Sequence, residues 1–348
     1  YSSPHLFTYN ERIRLNGHAV SDDMICHAFD HVEQARQSTS LSYFEFGTLA
    51  AIDTFYRAEL DFVILEVGLG GRLDATNVLD ADIALVTTID IDHVDWLGHD
   101  REAIGFEKAG IFRSGKVAVC GDANPPRSLL SYADSIGARL YRAGIDFEFS
   151  NHDKGWNWRG GKMRLYGLPL PNLKGEFQKQ NAAAVLMALD LLPPDLKVSH
   201  ESICQGLLRV RLNGRMQMII SEGGVQQVFD VAHNPQAART LAKALQSDEK
   251  RGETFAVMAM LRDKDIVGVI QELEHVVDHW YVAGLNVNRG LSSSELRNVF
   301  DEMDVNQSVT EHDSVRAAHK AALSKAGPQD RIVVFGSFYT VAQALDHS

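Results

Sequence analysis

The stretch DFVILEVGLGGRLDATN, residues 61–77, limits what this chain can fold into more than any other. Val63, Ile64 and Leu65 form a short apolar run with β-branched residues, the pattern of a strand buried on both faces of a parallel sheet. The run ends on Glu66, and Gly68, Gly70 and Gly71 follow. A carboxylate at the carboxyl end of a buried strand, followed by glycines, marks the edge where an open α/β sheet receives ligands. The glycines allow backbone to approach an anion closely. A tight strand-to-loop turn with an incidental glutamate is the plainer alternative.

The neighbouring segments alternate in the same manner. Ser21 is a good N-cap, and Asp22 and Asp23 suit the first turn of a helix running to Gln37. Residues 41–57 carry helical spacing after Phe46. Tyr43, Phe44 and Phe46 precede that helix, either to stack on a flat heterocycle or to fill core. Residues 83–89 read as a second buried strand ending in Asp90, Asp92, His93 and Asp95. Such crowding is costly unless a cation sits there or protons are shared. Oxygen ligands with one imidazole suit Mg²⁺ or Mn²⁺, while a solvated acidic loop is the alternative. Lys108 falls in a helical turn and by itself reads as a surface charge. Residues 117–120 form a further strand, followed by a helix near 126–137. A small β-rich insert is expected near 145–173. A helix over 178–192 stops at Pro193-Pro194. Asn181, near its start, either meets a base edge or is an amide satisfied locally.

With 348 residues the expectation is two domains. The break falls at RVRLNGR, giving a first domain over 1–209, a linker over 210–215 and a second domain over 216–348. Beyond the linker, strands are expected at 216–220, 226–229, 255–258, 280–283 and 332–335. Helices are expected near 235–247, 264–276, 292–302, 312–325 and 337–346. FDVAHNP places Asp230, His233 and Asn234 after a buried strand, again at a ligand edge. Gly336-Ser337 opens a helix whose free N–H groups could hold a carboxylate, with an ordinary N-cap serine as the simpler reading. The net charge of -12 argues against a general nucleic-acid binder. Three scattered cysteines fit a reducing compartment, and no apolar run reaches membrane-spanning length. A cytoplasmic chain without nucleic-acid or membrane partners is expected. The opening YSSPHL reads as the end of a strand, so sequence upstream of Tyr1 is expected too.

Taken in order, YSSPHL, SYFEFGT, LEVGLGGRLDATN, DHVDWLG, EKAGIFR, QNAAAVL, NGRMQ, DVAHNP, LRDKD and GSFYTV resemble the folylpolyglutamate synthase family. The likeness is to its bacterial form, which is also a dihydrofolate synthase, within the Mur-ligase superfamily, and it runs along nearly the whole chain. The resemblance implies an α/β fold: a P-loop-type Mur-ligase central domain, truncated at its N-terminus, then a Rossmann-like C-terminal domain. It implies an ATP-dependent ligase joining L-glutamate to dihydropteroate, and to the γ-carboxyl of folates, through an acyl phosphate. Ser3, Glu66, His93 and a carbamylated Lys108 would hold two Mg²⁺ ions, with K⁺ as a further cation. Asn181 would face adenine, Arg215 the phosphates and Asp230 the ribose. His233 and Ser337 would place glutamate, and Phe44, Asp74 and Ala75 would line the pterin pocket. Lys108, His233 and Arg215 would serve catalysis. The implied partners are dihydropteroate, tetrahydrofolates and L-glutamate, on a monomer. The family's GTNGKGS-like phosphate loop should precede YSSPHL and is not in this sequence, so weak or no turnover is expected of the chain as it stands. Another Mur-type ligase and a non-catalytic pterin-binding fragment stay open as alternatives.

Overall fold

The structure, a computed structural model, describes residues 1–92, 94–152, 155–173, 175–247 and 252–346. They form two compact units. The first comprises Tyr1–Leu170 and Lys179–Leu208, and the second Pro171–Gln178 and Arg209–Ser348.

In the first unit a short hairpin, β1 (Arg14–Leu15) and β2 (His18–Ala19), leads into α1 (Asp22–Arg36) and α2 (Tyr43–Arg57). Ser21 caps α1 by accepting the Met24 N–H. Ser42 and Glu45 start α2 with a reciprocal capping box. Tyr43, Phe44 and Phe46 therefore lie on this helix rather than before it. The two helices pack through Ala28, Val32 and Ala50.

A parallel three-stranded sheet follows, built from β3 (Ile83–Val86), β4 (Val117–Cys120) and β5 (Arg139–Arg142). Helices α3 (Val94–Leu97), α4 (Arg101–Ala109) and α5 (Arg127–Ser135) intervene. All four residues of β4 are buried, and they alternate between two cores. Ala118 and Cys120 pack with Ile104, Phe112 and Leu129. Val117 and Val119 pack with Trp156, Trp158 and Ala183. The tryptophans belong to an antiparallel sheet of β6 (Glu148–His152), β7 (Gly155–Arg159) and β8 (Arg164–Leu168), which is the expected insert. Ala183 belongs to α6 (Glu176–Asp190), and α7 (His200–Arg209) closes this core through Ile203.

The segment 63–65 departs from expectation. It belongs to no strand, and Ile64 is 79% exposed. The Tyr1 amino group donates to the Ile64 carbonyl (2.8 Å) and the Glu66 N–H to the Tyr1 carbonyl (2.9 Å), so the segment runs extended along Tyr1. A β-branched run is buried on both faces only where strands flank it and helices cover it. Here the regular parallel ladder begins at β3.

In the second unit β9 (Gln217–Ile220), β10 (Gln226–Phe229), β11 (Thr254–Met258), β12 (His279–Ala283), β13 (Ser308–His312) and β14 (Arg331–Phe335) form one sheet in the order β13-β12-β11-β14-β10-β9. Only the β9–β10 pairing is antiparallel. Helices α8 (Pro235–Ser247), α9 (Ile266–Leu273) and α10 (Ser293–Glu302) bury Leu241, Ile270 and Phe300 against Met258, Trp280 and Phe335. Helices α11 (Val315–Lys325) and α12 (Phe338–Leu345) complete the unit, and His319 of α11 meets Phe229 edge-on. Helices between parallel strands give the doubly wound arrangement expected from the sequence.

Candidate active site

In the first unit the residues 66–78 carry the candidate site. Gly68 has the Phe44 ring where a side chain would stand; a Cβ there would lie 2.5 Å from Phe44 Cζ. Gly70 takes a positive φ of +70° and turns the chain. Gly71 rests on α4, where a Cβ would come within 2.8 Å of the Glu107 carbonyl oxygen and 3.1 Å of that of Lys108. Next to it, the Arg72 N–H donates to Glu107 O (2.8 Å), and its guanidinium pairs with the Glu107 carboxylate (2.9 Å). Asn77 Nδ2 donates to Arg72 O (3.0 Å) and Gly110 O (3.1 Å). The glycine loop is thereby riveted to the helix that carries Lys108.

Asp74 sets the loop's shape. Its Oδ2 accepts the N–H groups of Gly68 and Leu69, each at 3.0 Å. Its Oδ1 accepts Thr76 N–H (2.9 Å) and the Thr76 hydroxyl (2.6 Å), capping a 3₁₀ turn over Ala75–Val78. The carboxylate expected to contact a ligand is thus already occupied by four donors. Asp74 still lines a cavity of about 400 Å³, together with Ala75, Val78 and Arg72 from the loop and Glu45 and Leu49 from α2. Phe44 does not line it; its ring lies over Gly68 and against Tyr1.

At the other end of the loop, Glu66 Oε2 accepts the Ser3 N–H at 3.4 Å, which brings two of the expected metal ligands together. His93 lies outside the described residues. Among the described residues, no group of three His, Cys, Asp or Glu side chains could hold a metal ion by itself. Of the acidic cluster expected after β3, the side chain of Asp95, like His93, lies outside the described residues. Asp90 accepts the Ile91 N–H (2.8 Å), while Asp92 faces Lys108 and draws its pKa upward. Burial is the larger influence, and it holds the Lys108 ammonium below its ordinary value. Lys108 is half-buried rather than a freely solvated charge.

Two residues missed in the sequence brace this edge. Asp122, buried after β4, accepts Ile89 N–H (2.8 Å) and Arg101 Nη2 (2.9 Å), and Arg101 Nε donates to Ile89 O. The signal was a lone acid one glycine beyond the apolar run VAVC. Asn181 lies within α6, and its amide makes no hydrogen bond among the described residues.

In the second unit, Asp230 follows β10. Its carboxylate accepts Met216 N–H (2.8 Å) and Ala232 N–H (2.9 Å). Burial raises its pKa, opposed by the Met216 bond and by the Arg215 charge. The Arg215 guanidinium lies 5.7 Å from the centre of the Phe338 ring. Ser337, just before Phe338 in the chain, is buried; its Oγ accepts Thr340 N–H (3.0 Å) and pairs with the Thr340 hydroxyl (2.7 Å). The N-cap reading of Ser337 is therefore the one its hydroxyl follows. His233 Nδ1 donates to Val231 O (2.8 Å), which fixes the ring's tautomer. Asp230, His233 and Ser337 thus follow the carboxyl ends of neighbouring strands β10 and β14, with Arg215 joined to them through Asp230 and Phe338.

Residues 27–189 match the Mur ligase middle domain, and residues 214–338 match the Mur ligase glutamate ligase domain. The chain is 44% identical to the dihydrofolate synthase/folylpolyglutamate synthase of Escherichia coli strain K12, over 99% of its own length and 79% of the relative's. Among solved structures, E. coli FolC in complex with DHPP and ADP superposes with a TM-score of 0.92 at 43% identity, covering 100% of this chain and 80% of that one. A bifunctional folylpolyglutamate synthase/dihydrofolate synthase with Mn, AMPPNP and L-glutamate bound gives 0.90 at 44% identity, covering 100% and 81%. None of these matches supports the expectation of weak or no turnover.

Proposed function

We infer the chemistry from one premise: the chain belongs to the dihydrofolate synthase/folylpolyglutamate synthase family, with its pair of Mur ligase domains. It is an ATP-dependent ligase that joins L-glutamate to the carboxylate of dihydropteroate and to the γ-carboxyl of folates. The γ-phosphoryl of ATP passes to the substrate carboxylate, and the glutamate amine displaces phosphate from the acyl phosphate to leave an amide. Charge gathers on phosphoryl oxygens, so positioning and neutralisation carry the catalysis.

What supports this reading most is the continuity of residues 66–78. One end carries Glu66 beside Ser3; the other forms a wall of the 400 Å³ cavity. A pterin seated by Ala75 and the Asp74 turn would direct its carboxylate along the loop toward Glu66. The hydroxyl of Ser3, the carboxylate of Glu66 and the imidazole of His93 suit a divalent cation, which would neutralise phosphate charge when bound. Carbamylation of Lys108 fits the same place. The reaction with CO₂ needs a neutral amine, and burial favours that form. The carbamate would put a second anion beside Asp92, which calls for the second cation. K⁺ remains the further cation of this reading. In the other unit Arg215 and Asp230 suit phosphate and ribose, and His233 and the start of α12 suit glutamate. Asn181, whose amide is uncommitted among the described residues, suits adenine. No helix among the described residues is long and apolar enough to cross a membrane. A cytoplasmic monomer completes the reading, with light scattering of the purified chain as its check.

The test is formation of dihydrofolate from dihydropteroate, ATP, Mg²⁺ and L-glutamate, with one phosphate released per amide. A panel with tetrahydrofolate and a UDP-sugar peptide as alternative acceptors completes it. Turnover with the peptide, or phosphate release independent of any pterin, would overturn the assignment.

A further inference from the structure

Arg12 is 8% exposed. Among the described residues it makes no ion pair. Its Nε–H donates to His5 Nδ1 at 2.8 Å, which makes that nitrogen an acceptor. Burial, and then the Arg12 charge itself, hold the His5 pKa down. The Tyr9 and Tyr43 rings flank the guanidinium, with centroids 5.3 and 5.4 Å from Cζ. Tyr9 supplies no phenolate, because burial pushes its hydroxyl up to about 12. Glu11, next in sequence, is already spent on the N–H groups of Leu6, Phe7 and Thr8. Among the described residues the two Nη groups have no hydrogen-bond partner, and they are not sealed from solvent. A guanidinium so largely withdrawn from water, with its open Nη edge facing no acid among the described residues, is suited to a ligand that supplies the missing charge.

Its position connects it to the candidate site. The Arg12 carbonyl accepts the Ser2 N–H (2.9 Å), one residue from Ser3 and its bond to Glu66. Its side chain rests on Tyr43, the neighbour of Phe44, whose ring lies over Gly68. From these observations, and resting on the function proposed above, we propose that Arg12 is a substrate-binding residue whose free Nη edge receives a carboxylate of the pteroyl or folyl ligand. Two carboxylates share that chemistry: the benzoate-type group of dihydropteroate, which reacts, and the α-carboxylate of a folate's glutamate, which does not. His5, Tyr9 and Tyr43 hold the guanidinium plane so that both Nη groups point at one anion.

The experiment is calorimetric titration of wild type, Arg12→Gln and Arg12→Lys with dihydropteroate, tetrahydrofolate and the corresponding carboxamides, with ADP·Mg²⁺ as control. The expected result is a loss of about 10- to 100-fold in carboxylate affinity for Arg12→Gln, with the carboxamides unaffected. Loss with dihydropteroate assigns the benzoate-type carboxylate, which a folate no longer carries; loss with tetrahydrofolate alone assigns the α-carboxylate. Unchanged affinities in Arg12→Gln would overturn the proposal, as would equal losses for carboxylate and carboxamide. If Arg12→Gln does not fold, two measurements decide. Wild type must prefer carboxylate over carboxamide about tenfold or more, and Arg12→Lys must narrow that preference, since an ammonium lacks the fork. Absence of either effect overturns the proposal. A wild type that binds neither pterin while binding ADP·Mg²⁺ would instead sink the function assignment, and this proposal with it.

Discussion

Replacing Asp74 with asparagine tests whether the acid at the cavity wall works by shaping the loop. The side chain keeps its size, but only one end can still accept. Four donors converge on the carboxylate: Gly68 and Leu69 N–H on Oδ2, Thr76 N–H and hydroxyl on Oδ1. With its NH₂ turned toward Gly68 and Leu69, the amide leaves both N–H groups unsatisfied; turned toward Thr76 it leaves that N–H unsatisfied while the hydroxyl can rotate to accept. Charge-assisted bonds of this kind contribute about 1.5–3 kcal/mol each when dry. Gly68 is exposed and Leu69 half-buried, so roughly 1 kcal/mol apiece is the discounted figure. In the first orientation, with the two bonds to Thr76 weakened to neutral ones, the loop is destabilised by about 2–3 kcal/mol, and in the second by roughly 1–2 kcal/mol, with the Gly68 and Leu69 bonds weakened to neutral ones. Hydrogen exchange at the Gly68 and Leu69 amides should then quicken by about 5- to 150-fold, provided local opening governs exchange. Pterin affinity should fall with it, because the cavity wall at Ala75 hangs on the same turn. Amide protection as in wild type, with affinity lost all the same, would refute the shaping role and return Asp74 to direct ligand contact.

Three further outcomes are expected. His319 is buried, its Nε2–H donates to Gln227 Oε1 (2.7 Å), and burial lowers its pKa to about 4. The folded state thus refuses a proton that the unfolded chain accepts, so stability present above pH 6.5 is lost as pH falls toward 4. The difference in unfolding free energy between wild type and His319→Gln should change by about 3 kcal/mol over that window, and a flat difference would contradict the buried neutral imidazole. Glu66→Gln should cut metal-dependent turnover by more than about 10²-fold while thermal stability stays within about 1 kcal/mol, since Glu66 is exposed; near-normal turnover at saturating Mg²⁺ removes it from the ligand set. Lys108→Ala should lose turnover by roughly 10²-fold or more and regain part of it with formate or acetate, which restore the anion of a carbamate. Absence of rescue, with no carbamate in native mass spectra, would count against the modification.

Most of the α/β alternation could be read because VAVC, TFAVM and RIVVF have apolar runs that only a sheet covered on both faces can hide, and all three are buried. Residues 63–65 carry the same pattern and lie exposed, because pattern reports a capacity for burial and says nothing about neighbours. The strands RLYR and SVTEH escaped notice because they are half-polar sheet-edge strands. The start of α2 could have been found: SYFE is a capping box, and it puts the aromatics on the helix. Of the candidate site, the glycines and Glu66 announce themselves by composition. Arg12 does not, since an arginine in YNERIRLNG looks like any surface charge until tertiary packing buries it. The same holds for Asp74, whose lone pairs are consumed by atoms of its own loop.

The seam between the glycine loop and α4 has a consequence for how the substrate range of such a protein can change. A methyl group on Gly110 would run into Arg72, and one on Gly71 would meet the carbonyls of Glu107 and Lys108. Remodelling at either glycine would therefore drag Lys108 along with the cavity wall. Leu73, Ala75 and Val78 line the cavity and stand against neither glycine. Selection or an engineer can vary them to admit a larger or differently shaped ring system while the chemical centre stays in register.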